Sequence, residues 1–157
     1  RAAREQRDGR GEPDARGETW LQRFRKVSPD LSPDELALID AVEASETSLY
    51  AVESVNQIEK SLRVRDIRKN LPPCRLVDLG MSQTMPVGAI TFGRILTVDD
   101  IRFWSGCVVA FCADQADMLL NEFRKLDKVG NVWLRSRKRF ALALELEQYS
   151  DIHVMYE

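Results

Sequence analysis

One histidine and three cysteines are scattered over this 157-residue chain, which argues against a structural zinc site. The cysteines, Cys74, Cys107 and Cys112, are odd in number. That fits free thiols in a reducing, intracellular compartment better than a secreted disulfide framework. No apolar run approaches the roughly 20 residues a bilayer span requires, so membrane spanning is not expected. The charged first residues do not read as a signal peptide. Phosphate loops and hydrolase signatures are also missing: there is no GxxxxGK, GxGxxG, GxSxG or HExxH. No cofactor and no catalytic constellation follow from the sequence.

A further absence is local. Between Val27 and Glu59 there is no lysine or arginine, while Asp30, Asp34, Glu35, Asp40, Glu43, Glu46, Glu53 and Glu59 fall there. The sign then flips. Lys60, Arg63, Arg65, Arg68, Lys69 and Arg75 stand against Asp66 alone, and a second basic cluster fills 124–139 with only Asp127 opposing it. A net charge of −2 therefore conceals strong local fields.

What is present divides at about residue 28. Residues 1–28 read as a flexible polyampholyte arm: 1–18, rich in Gly, Arg and acids, have no apolar periodicity and bury too little to offset their ordering entropy. Its last part holds Trp20 and Phe24, four apart and flanked by Arg23, Arg25 and Lys26. These two rings either staple the arm to the domain or act as a docking peptide or lipid-surface contact. Residues 29–157, at 44% hydrophobic content for the chain as a whole, suffice for one α+β domain.

Within that domain Ser32-Pro33-Asp34-Glu35 is a capping box with proline at the first helical position. No Gly or Pro follows before Pro72, so a helix is predicted over about 33–68. Leu38, Val42, Leu49 and Val52 would form a narrow stripe on it, and Arg63, Arg65, Arg68 and Lys69 a basic end. Together they are the candidate protein interface, with the acidic half of one copy facing the basic half of another. Strands are predicted within about 74–96, from CRLVDL and VGAITFGRILT. Thr97-Val98-Asp99-Asp100 reads as a second helix start, for a helix over 98–128 that is buried on every side around Cys107 to Cys112. At 132–156, Phe140, Leu142, Leu144 and Leu146 alternate with Ala141, Ala143, Glu145 and Glu147, which predicts antiparallel strands with one dry face.

Two groups remain as candidate chemistry. His153 and Asp151 share a strand side on this reading, a possible base and its orienting acid beside Ser150 or Cys74, but a solvent-facing histidine explains them as well. Trp133, Arg135, Arg137 and Arg139 put an aromatic and an arginine row on one strand face, and Lys138 adds to the same basic cluster. That row suits phosphates and a stacked base, an acidic partner surface, or plain solvent. The expected function is a non-catalytic structural or interaction subunit in a homo-oligomer or larger assembly. Nucleic-acid binding, of a viral coat or matrix type, is the alternative, and a small enzyme without a recognisable motif is third.

Overall fold

Ser32 caps the second helix as its sequence predicts: its Oγ accepts from Glu35 N at 3.3 Å, and its own N–H donates to the Glu35 carboxylate at 2.8 Å. The computed structural model describes residues 19–130 and 132–148. In chain order these form α1 (Trp20–Val27), α2 (Pro33–Ala44), β1 (Thr47–Asn56), β2 (Ser61–Asp66), β3 (Cys74–Val77), α3 (Leu79–Thr84), β4 (Ile90–Val98), β5 (Ile101–Trp104), β6 (Val109–Phe111), a 3-10 turn (Ala113–Gln115), α4 (Ala116–Asp127) and α5 (Val132–Glu147). The α+β class and the antiparallel sheet stand. Several expected elements do not.

The helix predicted over 33–68 stops at Ala44, where Ser45 turns extended and its hydroxyl donates to Val42 O at 2.8 Å. The chain then runs back as the β1–β2 hairpin. Thr, Tyr and Val favour strand there, and Leu62 and Val64 alternate with Arg63 and Arg65. β1 escapes a period-2 reading because it is buried on both faces. Its even residues Tyr50 and Val52 enter one core while Leu49 enters another. A bulge at Glu53 shifts the register between Val52 and Ser54. At the tip of the hairpin Lys60 takes a positive φ of 51°.

The second predicted helix, 98–128, also starts differently. Val98 pairs Ile101 across Asp99 and Asp100, whose φ values are 47° and 65°. Two consecutive left-handed residues make the type I′ turn that matches strand twist, and aspartate tolerates that conformation better than most side chains. The acids that look like a helix's first turn are therefore a hairpin tip between β4 and β5. Gly106, at φ 119°, turns the chain into β6, and only residues 116–127 are α-helical.

The strands predicted over 132–156 are replaced, as far as residue 147, by α5. Ala143 is fully buried while Leu144 is 42% exposed, the reverse of the alternating pattern. The intrinsic helix preference of Ala, Leu and Glu prevails over a two-residue alternation that no neighbouring strand supports.

The sheet order is β3-β2-β1-β4-β5, with β6 paired to the first half of β4 on the edge that β5 uses at its second half. β3 and β5, the two ends of the path, approach each other, so the sheet curls. Tyr50, Val52, Leu62, Val64, Leu76 and Trp104 fill the concave side, and Met81 and Met85 from around α3 join them. On the other side Leu49, Ile90, Phe92, Val109 and Phe111 pack against Leu119 and Phe123 of α4 and Ala143 of α5. One sheet thus separates two apolar cores.

Candidate functional site

Helical geometry redistributes the arginine row. Arg139 turns inward and is only 8% exposed. It forms an ion pair with Asp127 at the end of α4, and Arg68 donates to the same carboxylate at 3.1 Å. Burial acts to raise the Asp127 carboxyl, but the hydrogen bond from Arg139 and the Arg68 charge outweigh it and hold the group below the usual carboxylate range. Arg135 donates to Asp127 O at 3.3 Å. Arg137 and Lys138 are exposed. Trp133 falls in the first turn of α5, and its side chain lies outside the described residues. Arg135 and Arg139, both proposed for phosphate contact, are therefore engaged within the fold. The Arg68–Asp127 partnership spans 59 residues, so no local sequence pattern signals it.

The other charge blocks also meet inside the chain. Glu53 pairs Arg65 at 2.7 Å and Arg63 at 3.7 Å; Glu46 pairs Lys69 at 2.8 Å; Glu59 pairs Arg75 at 3.5 Å. The hydrogen bond from Lys69 holds the Glu46 carboxyl low, against the opposite pull of burial. The acidic 30–59 and basic 60–75 segments are close because β1 and β2 are one hairpin. Of the predicted interface stripe, Leu49 and Val52 are core residues at 0% and 1% exposure, Val42 is half-buried, and only Leu38 faces solvent.

A different surface stays open. In α1 Thr19 and Gln22 form a capping box, with Gln22 N donating to Thr19 Oγ1 at 3.2 Å and Thr19 N to Gln22 Oε1 at 3.0 Å. Arg25 ties the helix to α2 through Asp40 at 2.6 Å and Glu43 at 3.5 Å. Yet no residue of α1 is buried. Trp20 and Phe24 stack with ring centroids 5.4 Å apart and, with Val27, lie at i, i+4 and i+7 on one face. Their exposures are 58%, 36% and 71%.

The thiols divide against expectation. Cys107 is exposed beside the Gly106 turn and Cys112 is half-buried, because the segment is strand and turn and not a buried helix; Val108 to Phe111 between them are buried as expected. All three cysteines are free. His153, Asp151 and Ser150 lie outside the described residues, as does the arm over 1–18. Among the described residues no group of three or more His, Cys, Asp or Glu side chains is placed to hold a metal. No described helix is long and apolar enough to cross a membrane.

Fold and surface define an α+β protein: a curled antiparallel sheet with α4 and α5 packed on one side, and an amphipathic helix, α1, tied to α2. The chain belongs to a family of unknown function, DUF7986, whose model matches residues 12–157. No curated protein and no solved structure matches it.

Proposed function

We propose that the protein is a non-catalytic interaction subunit that associates with copies of itself through the aromatic face of α1. The observation that carries this is the stripe of Trp20, Phe24 and Val27, held in place by a capping box and an ion pair, with none of the three buried among the described residues. An eight-residue helix is marginal alone, and here it contributes no buried residue to either core. Aromatic side chains bury about 150–250 Å² each when covered. At about 25 cal/mol per Å² that is several kcal/mol which this face leaves unused in the single chain. A two-fold contact would set the same stripe of each copy against the other. Three free thiols support a place in a reducing compartment.

Nucleic-acid binding through 124–139 is less well supported, because Arg139 and Arg135 are committed to Asp127. The test is sedimentation at low and high salt. An apolar contact persists or tightens as salt rises, whereas contact through exposed charges loosens. Persistence in high salt supports the α1 contact, and a monomer at every concentration and salt contradicts it.

A further inference from the structure

At the end of the curled sheet where β3 approaches β5, a cleft of about 350 Å³ opens. That size falls within the range of small-ligand sites. One wall is apolar, made by Leu71 and Pro72 before β3, Ile95 of β4 and Ala44 at the end of α2. Deeper, the Tyr50 ring meets Trp104 edge-on at 5.4 Å. A second and larger groove, about 570 Å³ beside α3, carries only neutral amides, hydroxyls and apolar groups and specifies no ligand charge.

The charges of the smaller cleft can be accounted for one by one. Glu46 and Lys69 satisfy each other at 2.8 Å. Asp66 is buried and its Oδ1 accepts the backbone N–H groups of Arg68 and Lys69 at 3.0 and 2.9 Å. Tyr50 is kept protonated by burial and by the nearby Asp66 carboxylate, so it can donate a hydrogen bond. Burial likewise keeps the Cys74 thiol protonated, against the pull of Arg102. Arg102 itself is exposed on β5 and has no ion pair or side-chain hydrogen bond among the described residues. The type I′ turn at Asp99-Asp100 fixes the strand that carries it. Arg102 is thus the one cation of this lining without a carboxylate partner among the described residues; the Asp66 charge stays, held by backbone N–H groups, and the planar fork of Arg102 suits two carboxylate oxygens beside an apolar wall.

We propose that this cleft binds a small organic carboxylate, its acid on Arg102 and its apolar body against Leu71, Pro72 and Ile95. Thr97 and Tyr50 stand on the same lining as further donors. A neutral or cationic molecule of the same shape leaves Arg102 uncompensated and binds less well.

Cys74 lines the cleft and is half-buried, whereas Cys107 is exposed elsewhere, so the chain carries its own probe and control. The experiment is alkylation by iodoacetamide read by peptide mass spectrometry, with hexanoate, hexanamide or hexylamine added to the full chain. Near saturation, hexanoate is expected to slow Cys74 alkylation about tenfold by occupancy while Cys107 is unaffected. Hexanamide and hexylamine give little protection. Arg102→Gln removes the protection, measured as the ratio with and without hexanoate, because the substitution itself alters thiol reactivity. Arg102→Lys keeps part of it. Both variants replace an exposed side chain and are expected to keep the wild-type melting temperature without ligand. Equal protection by hexanamide, protection surviving Arg102→Gln, or no protection by hexanoate overturns the proposal.

Discussion

A Cβ on Gly93 would stand 3.0 Å from two ring carbons of Trp104. Trp104 is 8% exposed and holds the concave core against Tyr50. Gly93→Ala is therefore expected to destabilise by about 1–2 kcal/mol, an overpacking cost that urea unfolding at fixed m-value measures. Asp127 makes the opposite kind of prediction, since it is needed for what it cancels. Asp127→Asn leaves Arg139 and Arg68 without their anion. It is expected to cost about 1–3 kcal/mol at neutral pH, discounted because the carboxylate is partly exposed. The folded-state pKa is depressed, so this stabilisation is present above the ordinary carboxylate range and lost as pH falls through the depressed value. Unfolding curves of wild type and variant are expected to converge as the solution is acidified. A constant gap across pH would show that the charge is not the cause.

At the scale of elements, local chemistry was legible wherever one end signal or one face dominated. The Ser32 capping box, the strand at 90–98 and the end of α4 near Lys128 follow from the residues that form them. β1 was hidden because burial on both faces removes the alternation that betrays a strand, and its apolar residues happen to continue the spacing of α2. The aspartate pair at 99–100 serves equally as the first turn of a helix or the tip of a hairpin. The double substitution Asp99→Asn/Asp100→Gly is expected to stabilise the protein by about 0.5–1 kcal/mol, since both positions have positive φ and an Asn-Gly pair favours the type I′ turn. Thermal unfolding measures this; a loss of stability would argue for the helix. α5 can be tested the same way. Ala143→Leu overpacks a fully buried position and is expected to cost about 1–3 kcal/mol, while Leu144→Ser at an exposed position stays within about 0.5 kcal/mol. A strand built on Phe140, Leu142, Leu144 and Leu146 would reverse the order.

For the whole molecule, the sorted charges mean something different once the chain is folded. Blocks that suggested one copy facing another are joined through Glu53–Arg65, Glu46–Lys69 and Arg68–Asp127 within a single chain. Sequence order hides these pairings because of distance: a hairpin and a 59-residue contact bring together what the chain separates. Of the candidate surfaces, Trp20 and Phe24 were legible because they needed only helical spacing over one turn. Leu49 and Val52 were not, because their burial depends on a sheet the local pattern did not reveal. Among the described residues α1 buries none of its apolar stripe, and the proposed association runs through that face. The measurement that tests it most directly is sedimentation equilibrium of the full chain and of Trp20→Ser/Phe24→Ser, each at low and high salt. Association through α1 predicts a wild-type oligomer that persists in high salt and a doubly substituted monomer of unchanged thermal stability. A monomeric wild type, or an oligomer that the two substitutions leave intact, would contradict it.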